Sequence, residues 1–331
     1  MQILKKILLI LFFTNFIIVN ISFAELTHEG FNEWLITYKK YAKKKGISEE
    51  TLNSVFKNAK FLEKVIQYDR KQPEFFEDTL TYVGKRANNY RLEKAKKLFK
   101  KNEKLFNRVE NEFNVEKEIL LALWGIETNF GKHVGKMDII SSLATLSYDK
   151  RRSKFFSSEL LILLQLIDNN VIDLSKLYGS WAGAFGNFQF MPSTIKRYAI
   201  DYDNNNKIEL KSSLQDSVAS AANYINSVGW KYNEPCFYRV KLKNKVNKKY
   251  LNTSARKLKN KLKISEWEKK GIVSYNNTEL NKDYKAALIY PDNNKNSPTY
   301  LVFNNYEKIL KWNRSLRFGI SVCTLAEMIK S

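Results

Sequence analysis

The sequence predicts a mainly helical protein of the α+β class, and three observations carry that prediction. The opening third repeats apolar residues at helical spacing. The run from Ile119 to Ile126 holds only apolar residues and Gly, so it belongs in an interior. Short β-favouring runs bounded by Asn, Asp and Pro are confined to residues 234–304.

In chain order, residues 1–24 read as a secretory leader. Lys5 and Lys6 precede an apolar run from Ile7 to Phe13 that resumes at Phe16 to Val19, and Ser22-Phe23-Ala24 predicts cleavage after Ala24. No Cys lies nearby to be lipidated. The chain is therefore expected in the periplasm, with no stable membrane insertion once the leader is removed.

Phe31, Trp34, Leu35, Tyr38 and Tyr41 fall on one helical stripe that Gly46 ends, and the stripe is read as core. Ser48 caps the next helix. After a break at Asp69 to Pro73, helical patterns run from Phe76 to Lys85 and from Leu92 to Phe113.

The apolar run then predicts a buried helix, with Asn114 as N-cap, Glu116 and Glu118 in the first turn, and Gly131 as its stop. Glu127 follows Leu123 by four and Trp124 by three, so it shares their face. Burial there disfavours the charged form and raises the pKa, which makes Glu127 a candidate proton donor near neutral pH. The alternative is a carboxylate that merely caps or pairs at a helix end.

Helices are expected from Ile139 to Leu146 and from Phe155 to Ile167, with Arg151 and Arg152 at the corner between them. The Gly-rich stretch Gly179 to Ser193 lets backbone approach a neighbour closely. Its Asn187 and Gln189 offer amides to sugar hydroxyls and acetamides, and Pro192 opens another helix. Asp201, Asp203 and Asn205 stand at positions one, three and five of a calcium-type loop. Asn206 replaces the usual Gly and Ser212 the usual Glu, so the motif alone leaves a metal site and a plain polar turn both open. Beyond Trp230, strands are expected over Cys236–Leu242, Tyr284–Tyr290 and Thr299–Phe303, a helix over Ser265–Lys270, and a final helical segment from Tyr306.

Composition narrows the chemistry. Beyond residue 24 the chain carries 54 basic and 34 acidic residues, a net charge of +20, with Lys spread along its whole length. Such a charge favours an anionic partner, and for an exported protein a polyanionic envelope polymer fits better than nucleic acid. With only His28 and His133, a multi-His zinc site and a Ser-His or Cys-His nucleophile are poorly supplied, which leaves carboxylate chemistry. Cys236 and Cys323 form an even pair in a chain read as exported, and their pairing stays open.

Trp124-Gly125-Ile126-Glu127-Thr128-Asn129-Phe130-Gly131, Gly183 to Ser193, the acidic loop from Asp201 and the tail Asn304 to Ser315 together resemble the B-type lytic murein transglycosylases, in order and spacing. The resemblance implies a lysozyme-like helical core at residues 96–233 plus 305–331, a helical N-terminal domain at 25–95 and a small antiparallel β domain at 234–304.

It implies Glu127 as the single catalytic acid and base, with no cofactor for the chemistry. Ser180, Arg151, Arg152, Gln189 and Phe190 become residues that hold the sugars, Trp312 and Asn313 close the site from the tail, and Tyr82 matches a groove tyrosine. Trp312 and Phe318 stand where the family commonly has Tyr. Asp201, Asp203, Asn205, the Lys207 backbone and Asp216 match a structural Ca2+ site. The implied partners are peptidoglycan glycan strands, with cell-wall synthesis or division proteins beyond them. The implied activity cleaves the β-1,4 bond between N-acetylmuramic acid and N-acetylglucosamine to leave 1,6-anhydromuramyl ends. A muramidase that hydrolyses the same bond and a non-catalytic wall-binding scaffold are the rival readings.

Overall fold

The structure is a computed structural model that describes residues 26–71, 76–276, 279–294 and 296–331. The expected leader and its cleavage after Ala24 lie outside the described residues. Among those described, no helix is long and apolar enough to cross a membrane.

Six helices open the chain: α1 (His28–Lys44), α2 (Glu49–Phe56), α3 (Glu63–Arg70), α4 (Thr79–Arg86), α5 (Asn89–Lys101) and α6 (Glu103–Phe113). Ser48 caps α2 as expected, its hydroxyl accepting from Thr51 N–H, and Asp78 does the same for α4. The pattern read as one helix from Leu92 to Phe113 is broken at Asn102. Its main-chain N–H and side-chain amide both donate to the Leu98 carbonyl, which ends α5 before α6 begins. The aromatic stripe of α1 is largely core: Phe31 and Tyr38 are buried and Trp34 half-buried, whereas Tyr41 faces solvent.

Helix α7 (Lys117–Thr128) runs through the interior, with every residue from Ile119 to Gly125 buried. Its ends differ from expectation. Asn114 is not the N-cap: it adopts the left-handed conformation at the end of α6, a role Asn fills as readily as a cap. Glu116 stands at the N-cap position without a side-chain capping bond. Its carboxylate instead accepts from the Trp230 indole N–H (2.6 Å) and Asn233 N–H (2.7 Å).

A two-stranded ribbon, β1 (Met137–Asp138) with β2 (Tyr178–Gly179), brackets α8 (Ile139–Tyr148) and α9 (Ser153–Asp168). Then come α10 (Pro192–Tyr198), with proline in its first turn, and α11 (Leu214–Ser227). The β unit comprises β3 (Phe237–Leu242), β4 (Leu262–Lys263), α12 (Ile264–Lys269), β5 (Ile272–Ser274), β6 (Lys285–Ile289) and β7 (Thr299–Val302). The strands form one antiparallel sheet in the order β4-β6-β7-β3-β5. Helices α13 (Asn304–Trp312) and α14 (Leu316–Lys330) complete the chain.

The sheet partitions two hydrophobic cores. Because side chains alternate along a strand, β6 sends Ala287 and Ile289 into the large helical core and Ala286 and Leu288 into a smaller one. The smaller core is closed by α12, whose fully buried Trp267 donates its indole N–H to the Ala286 carbonyl at 2.9 Å. The large core runs from Phe31 to Ala326, and α1 to α3 pack on α8 and α9 within it. The boundary expected at residue 95 falls inside α5, where Ala95 belongs to that shared core. Cys236 and Cys323 are joined in a disulfide that ties the start of the sheet to α14.

Candidate functional site

The site is built around the C-terminal end of α7. Three successive residues there, Asn129, Phe130 and Gly131, take left-handed backbone conformations and turn the chain sharply away from the helix. Gly131 is required on a second count, since a Cβ there would lie 2.7 Å from the Asn187 side-chain oxygen. Thr128, fully buried, fixes the turn: its hydroxyl accepts from Gly131 N–H and donates to the Asn187 carbonyl at 2.8 Å. Lys94 donates to the Asn129 carbonyl at 2.9 Å and Arg91 to the Gly125 carbonyl at 3.1 Å, so two cations satisfy the helix end.

Glu127 is half-buried one turn beyond Leu123 and Trp124. Its Oε1 accepts a hydrogen bond from the indole Nε1 of Trp312 at 2.8 Å, across 185 positions of sequence. That indole is held by aromatic neighbours. It stacks on Tyr224 (centroids 5.0 Å, 20° between planes), which in turn stacks on Tyr198 (4.6 Å, 17°). Phe190 and Phe188 meet it edge-on at 5.2 and 6.2 Å. Burial pushes the Tyr224 phenol up to about 12, so it stays neutral while donating to the Lys311 carbonyl at 2.9 Å.

The Gly-rich segment lies against the turn after α7. Gln189, itself left-handed at φ 51°, donates its amide to the carbonyls of Val134 (3.1 Å) and Gly186 (3.0 Å). Ser180 closes a tight turn with Ala184, its Oγ accepting from Ala184 N–H at 3.0 Å. Gly135 abuts the carbonyl of Gly179 so closely that a Cβ would sit 2.0 Å from that oxygen. Residues 131–135 therefore bring Ser180 and Gln189 to the same end of α7 as Glu127, and Asn313 follows Trp312 directly.

Other expected site residues sit differently. Asn187 is buried and spent on the protein itself: its amide meets the Leu210 and Lys211 carbonyls and the Ser217 hydroxyl, and its oxygen accepts from Trp124. It anchors the loop rather than facing a sugar. Phe190 is buried behind Trp312. Tyr82 is buried too, with the Arg86 guanidinium 3.4 Å from its ring centroid.

Arg151 and Arg152 are not a free solvated corner. Both bind the buried Asp69, Arg151 through Nε at 2.8 Å, and Arg70 bridges Asp69 to the buried Asp149 at 2.9 Å. The remaining acids near Glu127 in sequence are also engaged. Asp138 caps α8 through Ile140 N–H (3.0 Å), and Glu159 accepts from Ser193 N–H (2.8 Å) at the start of α10. Sequence reasoning missed Arg91, Lys94, Tyr198 and Tyr224. The first two carry a signal only once α5 is known to cross the end of α7, and the tyrosines only once Trp312 is placed.

At the acidic loop, Asp201, Asp203 and Asp216 each offer a carboxylate oxygen within 4.8 Å of the others. Asn204 and Asn206 take the left-handed conformation that the loop needs, which is why Asn serves where Gly is usual. Asp216, fully buried, accepts from Tyr202 and Glu209 N–H, both at 2.9 Å. Burial, aided by the charge of Asp203, nevertheless lifts its carboxyl above the ordinary range. Asp203 Oδ2 accepts from Ser213, whereas its Oδ1 is buried without a hydrogen-bond partner. A hard-oxygen donor set with one orphaned buried oxygen fits a calcium ion. Asn205 Oδ1 is turned to Lys207 N–H at 2.9 Å.

The chain matches the protein family described as "Transglycosylase SLT domain" over residues 30–327. Membrane-bound lytic murein transglycosylase B of Escherichia coli (strain K12) is 40% identical over 129 residues, a stretch that spans 39% of this chain and 36% of that relative's length. Among solved structures, SltB3 from Pseudomonas aeruginosa in complex with NAG-NAM-pentapeptide is similar at a TM-score of 0.82 and 30% identity, covering 91% of this chain and 80% of that one. Its complex with NAG-anhNAM-pentapeptide is equally similar. The Escherichia coli lytic transglycosylase Slt35 in complex with calcium is similar at a TM-score of 0.76 and 26% identity, covering 92% of this chain and 93% of that one.

Proposed function

This chain belongs to the SLT transglycosylase domain family, and from that premise we propose that it is a lytic transglycosylase that cleaves peptidoglycan glycan strands between N-acetylmuramic acid and N-acetylglucosamine. The observation that carries the mechanism is the placement of the Glu127 carboxyl at the end of α7. Glu127 is held there by the Trp312 indole, while Asp138, Asp149 and Glu159 are each committed elsewhere.

In this reading Glu127 enters the reaction carrying a proton. It donates that proton to the leaving glycosidic oxygen as positive charge develops on the anomeric carbon. In place of a second carboxylate, the substrate's own 2-acetamido group stabilises that carbon. Glu127, now ionised, takes the proton of the C6 hydroxyl, which closes the 1,6-anhydro ring without consuming water. Well-oriented intramolecular attack reaches effective molarities of about 10⁵ M or more, an advantage that bulk water lacks. Ser180, Gln189 and Asn313 are the side chains we assign to holding the ring in that orientation, and Trp312 to orienting Glu127.

Arg70, Arg151 and Arg152 carry one more charge than Asp69 and Asp149 neutralise. Their half-exposed edges suit the carboxylates of a stem peptide, such as the pentapeptide bound by SltB3. Calcium, held by Asp201, Asp203 and Asp216 with the Lys207 backbone, would brace the entry to α11 and takes no part in the chemistry. The catalytic unit is assigned to residues 96–233 with 305–331, joined to the preceding helices through α5, which runs across that boundary. The periplasm is the assigned compartment, in keeping with the disulfide.

Digestion of purified sacculi in heavy-oxygen water tests the assignment. Unlabelled 1,6-anhydro ends, lighter by one water, are the expected product. Labelled reducing muramic acid as the main product would make the protein a hydrolase.

A further inference from the structure

The positive charge is not spread evenly, contrary to the expectation above. Between Lys241 and Lys270 the chain carries twelve Lys or Arg and two acids, a net charge of +10 in thirty residues. That is half of the +20 carried from residue 25 onward. The structure places this stretch on the outside of the small β unit. Eleven of the twelve basic residues are exposed, and Lys270 is half-buried. Among the described residues Lys261 is the one drawn into an ion pair, with Glu307 at 2.6 Å.

The charges also crowd one another. Lys263 on β4 stands directly opposite Lys285 on β6, and like charges across an antiparallel pair destabilise it. The ammonium groups of Lys249 and Lys270 both sit over the Tyr250 ring, 5.1 and 4.9 Å from its centroid. Lys245, Lys269 and Lys270 line a pocket of about 300 Å³ beside that ring, with Asn244 and Asn247 on its rim. A fold that tolerates this repulsion is relieved whenever an anionic surface approaches.

We propose that the Lys241–Lys270 face of the β unit docks the protein on a bilayer bearing anionic phospholipid headgroups. Lysine supplies eleven of the twelve charges. An ammonium is a hydrated point charge, whereas the fork of arginine is the one suited to bidentate recognition of a single carboxylate or phosphate group. An exposed lysine field therefore answers to charge density, which a plane of headgroups provides, and each such residue near an anionic bilayer adds to the attraction. None of these residues belongs to the Glu127 site. The rival partner is the carboxylate-bearing wall polymer itself.

Flotation of the full chain with phosphatidylcholine vesicles, with and without about a third phosphatidylglycerol, tests the docking. Binding is expected only to the anionic vesicles and should weaken steeply with added salt. Substituting Lys245, Lys249, Lys269 and Lys270 together by Gln should weaken it by a factor of about 10² to 10³, while the same four changed to Arg should keep it. A control with equal charge loss, Lys96, Lys97, Lys100 and Lys101 on α5 changed to Gln, should stay within about threefold of the parent. Digestion of soluble glycan fragments should be unchanged in all of them. If the fourfold Gln variant loses its melting transition, the Lys245→Gln/Lys249→Gln pair is read instead, with about a tenfold loss expected. The docking is overturned by absent binding to anionic vesicles or by equal loss in the α5 control. It is also overturned if the face variant loses adhesion to insoluble sacculi while its vesicle binding is intact.

Discussion

Carboxyl groups occupy two opposite settings in this molecule. At the end of α7 the half-buried Glu127 accepts from the Trp312 indole N–H. At the start of α11 three acids converge within 4.8 Å, and Asp216 is wholly buried among them. The first setting suits the proton transfer proposed above, in which one carboxyl gives and then recovers a proton. The second brings three carboxylates close together, a donor set that a divalent cation would suit. On the proposed reading, the same functional group serves catalysis in one setting and architecture in the other.

The contrast breaks most plainly at Glu127. Glu127→Gln should keep the wild-type melting curve yet lower turnover on sacculi by about 10²- to 10⁴-fold, since an amide has no proton to give. Turnover above about a hundredth of wild type would remove Glu127 from the acid's role. Next in size is calcium. At about a hundred times its dissociation constant it should stabilise the native state by about 2.7 kcal/mol, seen as a rise in Tm over chelator-treated protein. An unchanged Tm, with no metal found by elemental analysis, would reduce the loop to a polar turn.

Asp216→Asn sharpens the same point. An amide can accept from one of the two N–H groups that Asp216 now serves, so urea unfolding should show a loss of about 1 to 3 kcal/mol, and the calcium response should vanish. The smallest effect belongs to Trp312→Phe, which keeps a ring against Tyr224 and Phe190 but removes the N–H on Glu127. A fall in kcat/KM of about three- to tenfold is expected with unchanged stability. No fall would mean that the indole serves as packing alone.

What the sequence disclosed follows the range of the forces involved. Helix α7 was legible because its burial shows as eight successive apolar or Gly residues, and Pro192 because its effect on the first helical turn is local. The left-handed Asn206 was legible for the same reason. Contacts between distant positions were not. Nothing near Arg151 announces Asp69, and nothing near Trp312 announces that its indole supplies a hydrogen bond to Glu127. Asn114 was misread because one side chain suits both the end of one helix and the start of the next. The two-residue strands β1 and β2 are too short for any alternation to show.

The disulfide sets a schedule. Cys236 precedes β3 by one residue and Cys323 lies in α14, so the ring that the bond closes contains all five strands of the sheet together with α12 and α13. Ribosomal synthesis delivers Cys236 first and leaves its thiol waiting while 86 further residues are made. The oxidation step therefore comes after the whole sheet and nearly all the helices exist. A sealed bond records that chain growth has passed position 323, and a chain halted earlier would carry a lone thiol open to capture by another molecule.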